Sequence, residues 1–209
     1  MCIRADESKR TKAKDSLRYN FIKMELVLVR HGQTIENVSQ IIQGNLDGTL
    51  SEAGIKQAKE LAKELKKEKF DQIFSSDLGR CVDTAKFIMK YHRKQDLQLT
   101  PALRELNFGI HQGKYSRSVD WDSLEGPVLE RKFPEGESAV EMSARLIKFI
   151  NKLLKDFPEQ KILLVTHGGP IRVIRSAVEN ISLEALFDED KPNVSIWNYK
   201  ITKPLKVHK

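Results

Sequence analysis

Two histidines stand in matching positions. The run MELVLVR over Met24–Arg30 leads into His31-Gly32, and the run KILLVT over Lys161–Thr166 leads into His167-Gly168. Arg30 adjoins the first histidine, and Gln33, Thr34 and Asn37 follow it closely. A guanidinium and a set of amide and hydroxyl donors at one point could hold an anion. An imidazole among them supplies a nucleophile or a proton carrier near neutral pH. Taken alone, Arg30-His31-Gly32 fits a satisfied loop histidine beside a surface arginine better than it fits a site. The neighbouring donors and the second histidine shift that balance.

The elements that must position these residues follow from apolar patterning. Both runs read as buried strands, and residues 71–75 (DQIFS) as another. Residues 97–100 precede Pro101 as a fourth strand, and 194–201 read as a closing one. Ser51 is placed as a helix N-cap, followed by Ile55, Ala58, Leu61, Ala62 and Leu65 at helical spacing. A second helix covers residues 78–91. Ser138 and Glu141 form a capping box that opens a third, with an apolar stripe of Val140, Ala144, Ile147, Ile150 and Leu154. Pro170 marks the start of a fourth. Residues 43–48 form a polar loop, and residues 111–135, with Gly113, Gly126, Pro127 and Pro134, carry no readable periodicity. Strands alternating with helices predict an α/β fold, three layers deep (α/β/α), with a mainly parallel central sheet. Ligands bind beyond the carboxyl ends of such strands. His31 and His167, about 136 residues apart in sequence, are thereby expected in one crevice.

Bulk properties narrow the function classes. Residues 1–23 hold seven basic and three acidic residues, which is more than half of the formal net charge of +7. This segment reads as a basic, solvated N-terminal extension. An artefact of an upstream start is the lesser alternative, since Met24 opens the first strand, and residues 24–209 are expected to form a single domain. No nucleic-acid motif accompanies the charge, so no nucleic-acid partner is expected; a basic surface also suits anionic substrates. No apolar run is long enough for a membrane span or a secretory signal. Cys2 and Cys81 do not suggest a disulfide framework, and a cytoplasmic setting is expected. No metal-ligand spacing is present, and no cofactor is expected.

Five segments in order carry a family resemblance. They are Leu28-Val29-Arg30-His31-Gly32-Gln33-Thr34 with Asn37; Gln43-Gly44 with Leu50-Ser51, Gly54 and Gln57-Ala58; Ser75-Ser76-Asp77-Leu78 with Arg80; Leu103-Arg104-Glu105-Leu106 with Phe108-Gly109; and Val165-Thr166-His167-Gly168-Gly169. Together they resemble the histidine phosphatase superfamily, also called phosphoglycerate mutase-like. The resemblance implies that His31 attacks phosphorus and carries the phosphoryl group. That role needs a neutral ring with one free nitrogen, which flanking cations such as Arg30 favour. The other ring nitrogen must donate a hydrogen bond to an acceptor the sequence does not identify. Arg30, Arg80 and His167 resemble a phosphate clamp, suited to charge spread over three equatorial oxygens. Asn37 and the amides near Gly168 would add donors, and Gln43 and Gly44 would line the pocket mouth. Glu105 resembles a general acid that protonates the leaving oxygen and then activates water. Arg104 beside it would oppose that role, and is expected to point away into an ion pair.

Hydrolysis and mutase transfer share this phosphohistidine. Only about 28 residues separate Glu105 from Pro134-Glu135-Gly136-Glu137, fewer than in the mutases of the family. Phe108 and Ser116 stand where those mutases usually place Tyr and Lys, although Lys114, Arg117, Arg131 and Lys132 could partly compensate. Phe133 to Ser138 resembles the corresponding phosphatase stretch. The resemblance therefore implies a phosphomonoester hydrolase acting on a small phosphorylated metabolite, as a monomer or homodimer. A phosphoglycerate mutase is the alternative, and a phospho-ligand binding module that has lost catalysis is the third reading. His92, His111 and His208 are read as exposed bystanders, and Trp121 and Trp197 as packing residues.

Overall fold

The computed structural model describes residues 23–187 and 193–206. The expected basic extension, apart from Lys23, and His208 lie outside the described residues. In chain order the elements are β1 (Met24–Arg30), α1 (Ile35–Val38), α2 (Glu52–Leu65), β2 (Gln72–Ser76), α3 (Gly79–Met89), β3 (Leu97–Thr100), α4 (Ala139–Asp156), β4 (Lys161–Thr166), α5 (Gly168–Glu179), α6 (Leu183–Phe187) and β5 (Ile196–Ile201). Three short 3-10 turns lie between β3 and α4.

The five strands form one sheet in the order β3-β2-β4-β1-β5. Only the β1–β5 pair is antiparallel. The central strands β1 and β4 are buried on both faces, which is why their sequences are nearly continuous apolar runs. Alternate residues separate two cores. On one face Val27, Val29, Ile73, Leu163 and Val165 pack with Leu61, Leu65, Cys81 and Ile88 of α2 and α3. On the other, Leu26, Leu28, Phe74, Ile162 and Leu164 pack with Met142, Leu146, Ile150 and Ile171 of α4 and α5. The expected α/β/α layering is thus present.

The caps follow the sequence. Ser51 Oγ accepts from Gly54 N at the start of α2, and Ser138 and Glu141 form the capping box of α4. A second capping box, between Thr34 and Asn37, opens α1 and was not foreseen. Glycines let the β1 exit loop lie against α2. A Cβ built on Gly32 would stand 2.6 Å from Gly54 O, and one built on Gly54 would stand 1.9 Å from Gln33 O. Any side chain at either position would force the loop that carries His31 off the helix. Two expectations are corrected: His111 is half-buried, its ring 6.0 Å from that of Phe133 and 6.2 Å from that of Trp121, and His92 is not exposed. It is 6% accessible and its ring lies 5.2 Å from that of Phe70, because the turn after α3 folds back onto the core.

Candidate active site

Parallel pairing of β1 with β4 sets Arg30 opposite Thr166. His31 and His167 therefore each stand one residue past the same rung, at the carboxyl end of the sheet. Their ring centroids are 5.2 Å apart, with the planes inclined at 63°. His31 N donates to Thr166 O (3.0 Å), and Gly32 N to Thr84 Oγ1 (3.1 Å), which ties the loop to β4 and α3.

The His31 ring has a defined polarity. Its Nδ1 lies 2.8 Å from Gly32 O. A carbonyl only accepts, so Nδ1 carries the proton and Nε2 keeps its lone pair. Arg80 Nε donates to that Nε2 at 3.2 Å. Gly32 O is thus the acceptor that the sequence could not identify. Burial, then the Arg80 guanidinium, and more weakly Arg30 hold the His31 imidazole well below the usual histidine range, against the opposing bond to Gly32. The ring is neutral chiefly because it is buried, with the cations second.

Arg80 is 1% accessible, on the first turn of α3. Besides His31, its guanidinium donates to Gly44 O (2.8 Å), Asp47 O (3.3 Å) and Leu46 O, so the loop over residues 44–47 is wrapped around it. Gly79 N in turn donates to Asp47 Oδ1 at 3.0 Å. Gln112 Oε1 accepts from Asn45 N, which fixes the loop from the opposite side.

Glu105 lies against the start of α5. Gly169 N donates to both its carboxylate oxygens (3.1 and 3.2 Å), and Leu106 N donates to Oε1 (3.0 Å). The positive end of the helix favours an anion there. An amide expected to serve phosphate therefore holds the carboxylate instead. Arg104 does point away, into a bidentate pair with Asp77 (2.6 and 2.7 Å), which holds the Asp77 carboxyl below the usual range. Arg145 of α4 donates to the carbonyls of Ala102, Arg104 and Glu105 and pairs with Glu137 at 2.7 Å. It fixes the backbone that carries Glu105.

These groups border a cavity of about 350 Å³. Arg30, His31, Asn37, Gln43, Gly44, Arg80 and Glu105 line it, so seven of the nine residues expected in the site meet there. Asn37 Oδ1 is engaged by Thr34 N and Asn193 Nδ2, which leaves its amide N–H groups for a ligand. His167 and Gly168 stand behind this lining. His167 is fully buried, with Nε2 2.8 Å from Ser76 Oγ and 3.4 Å from Cys81 Sγ. Burial first, then Arg80 and His31, hold it too well below the usual range. Cys81 donates to Thr166 O at 3.3 Å, and burial pushes its thiol up. Reasoning from sequence missed Ser76, Thr84, Arg145 and Arg172, of which Arg172 lines the cavity. It also read Trp121 as packing alone, whereas Trp121 both packs and lines the cavity. Among the described residues no cluster of three His, Cys, Asp or Glu could hold a metal ion, and no helix is long and apolar enough to cross a membrane.

A neutral strand-end histidine facing guanidinium groups and a carboxylate, beyond the carboxyl edge of a parallel sheet, marks an enzyme of the class that handles small anions. The chain belongs to the histidine phosphatase superfamily (branch 1), whose family profile matches residues 26–205. It is 30% identical over 193 residues to phosphoglycerate mutase-like protein 4 of Arabidopsis thaliana, a match covering 83% of this chain and 84% of that one. It superposes on a mycobacterial glucosyl-3-phosphoglycerate phosphatase with a TM-score of 0.74 at 29% identity, covering 85% and 90% of the two chains. A phosphoserine phosphatase of Entamoeba histolytica, solved in complex with phosphoserine, aligns with a TM-score of 0.73 at 27% identity, covering 84% and 89%. Phosphatases and mutase-like proteins are both among its relatives.

Proposed function

We propose that the protein hydrolyses a small phosphomonoester through a phosphohistidine on His31. The observation that carries this reading is the polarity of the His31 ring. Nδ1 is tied to Gly32 O, and Nε2 holds its lone pair at the cavity wall. When a phosphate ester binds, Arg80 exchanges its bond to Nε2 for the phosphoryl oxygens, alongside Arg30 and Asn37, with the buried His167 behind them. Nε2 then bonds to phosphorus as the ester P–O bond breaks. A proton carried on Glu105 passes to the departing alcohol oxygen. The carboxylate left behind takes a proton from water, whose oxygen bonds to phosphorus. The P–N bond breaks, and Nε2 recovers its lone pair. The charge developing on the equatorial oxygens is met by groups already in place, which is where most of the acceleration arises.

The catalytic unit in this reading is residues 24–209, with no site residue in 1–23, and no metal takes part. His31→Ala should abolish phosphate release, a loss of about 10⁴-fold or more. It should also abolish the acid-labile phosphate label left on the wild-type chain, with EDTA present throughout. A label that persists on another residue would refute the assignment.

Mutase action is the second reading, and Arg172 favours it, as a third arginine in the wall of the cavity that a glycerate carboxylate could meet. Interconversion of 3- and 2-phosphoglycerate, primed with the bisphosphate and outpacing hydrolysis, would establish it.

A further inference from the structure

The cavity wall carries apolar side chains as well as the charged groups, and where they stand relative to Glu105 bears on the alcohol. A Cβ built on Gly168 would stand 3.4 Å from Arg172 Nη1 and 3.7 Å from Arg30 Cζ. Those two arginines therefore converge on the start of α5, and Arg30 adjoins His31 in the chain. A Cβ built on Gly169 would stand 2.2 Å from Glu105 Oε1 and 3.3 Å from the Met142 methyl. The carboxylate and the methyl thus share the next position along. Leu106 follows Glu105 directly, and Phe108 and Trp121, ring against ring, line the same cavity.

A general acid has to touch the oxygen that leaves. Whatever surrounds Glu105 therefore touches the alcohol that oxygen belongs to: Leu106 and Met142 stand beside it, and Phe108 and Trp121 line the same small cavity. Trp121 presents ring surface only, because its one polar group, Nε1–H, is spent on Ser116 O at 3.0 Å. The indole is held edge-on against Phe108 (6.3 Å, 76°) and Phe133 (6.2 Å, 89°), and Arg131 Nη1 grips its carbonyl at 3.1 Å. It is a fixed apolar face. A polyhydroxylated alcohol packed on that face would lose its water and find no partner in the indole, at a cost in binding.

Resting on the hydrolase reading, we infer that the leaving alcohol is one with a flat apolar or aromatic body, and that Trp121 is the residue that selects it. A volume of about 350 Å³ lies at the low end for small-molecule sites, so the alcohol is limited to about one ring system.

The test uses alkyl esters of similar leaving ability, so that chemistry does not mimic recognition. The panel is 2-phenylethyl phosphate, ethyl phosphate, glycerol 3-phosphate and 3-phosphoglycerate. Two measurements are made on the full chain: kcat/KM for phosphate release by the wild type, and affinity for each intact ester by calorimetry on His31→Ala. The phenylethyl ester is expected to lead each of the others by about tenfold or more in both. Trp121→Ala should shrink that lead to about threefold or less, mainly through KM, and Trp121→Phe should keep most of it. Equal affinities, a preference for glycerol 3-phosphate or 3-phosphoglycerate, or a phenylethyl preference indifferent to both Trp121 variants would overturn the inference. If no ester is hydrolysed, the hydrolase reading falls, while the affinities on His31→Ala still decide what the wall selects.

Discussion

Beneath the cavity, His31 and His167 leave the ends of adjacent parallel strands, and most of their polar contacts run to a strand end or a helix start. Above it, residues 106–136 contain no strand or α-helix. They are held by 3-10 turns, by the ring cluster of Phe108, Trp121 and Phe133, and by Arg131. The floor owes its geometry to sheet register, which moves only if the core moves. The roof owes its geometry to turns, a few side chains and backbone bonds to the loop over residues 40–42, and can be rebuilt without disturbing the strands. The difference suggests a division of labour, in which the floor sets the reaction and the roof sets which molecule undergoes it. Variants in the floor should slow every ester, and variants in the roof should reorder them.

Glu105 tests the comparison at its seam. Its carboxylate is bound to Gly169 of the floor, and its chain continues as Leu106 into the roof. Glu105→Gln keeps an oxygen for the Gly169 amide but has no proton to give. Alkyl esters should slow by about 10³-fold, and nitrophenyl esters, whose leaving group needs no proton, by about tenfold or less. Equal slowing across the series would leave Glu105 with a purely structural part.

Arg80→Ala removes a floor residue with two jobs, and a smaller loss is expected. Losing one preorganised donor to the phosphoryl group should cost about 10²–10³ in kcat for every ester. The acid limb of kcat/KM should also move to higher pH, because Arg80 is the main neighbouring cation holding the His31 ring neutral. The limb should remain below the usual histidine range, since burial is the larger cause. A limb that does not move would separate Arg80 from the nucleophile.

The same contrast governs how much was legible in the sequence. MELVLVR and KILLVT each end in His-Gly, and parallel pairing leaves those histidines little choice but to meet. Ser51 and Ser138 announce their helices by chemistry local to one turn. The Thr34–Asn37 box carried a similar local signal, which could have been read. Arg145 could not, because on an amphipathic helix it looks like any solvated cation, and its work on the carbonyls of 102–105 depends on tertiary approach. Trp121 is the same case in the roof. Neither its ring partners nor its place in the cavity wall follows from spacing, since 111–135 has no period to read. His92 was misjudged because its burial comes from a turn folding back onto Phe70.

The smallest expected effect is on stability, and it too belongs to the floor. His31 and His167 are both held well below the usual histidine range by burial and by Arg80. Unfolded, each would titrate near 6.5. Between that value and the lowered folded one the unfolded chain binds more protons, so stability rises with pH and is lost as pH falls below about 6.5. Each ring can contribute at most about 1.4 kcal/mol per pH unit. His92, lowered by burial against the opposing Leu65 carbonyl, acts in the same direction. Asp77, held low by Arg104, acts only at lower pH, where carboxylates titrate. Urea unfolding of the wild type at pH 7.5, 6.5 and 5.5 should therefore show stability falling slightly over the first interval and about three times as steeply over the second. In His31→Ala the fall should be shallower by up to one ring's share. A wild-type chain equally stable at pH 7.5 and 5.5 would mean that the histidines reach their protons without unfolding, and that the floor is looser than its hydrogen bonds imply.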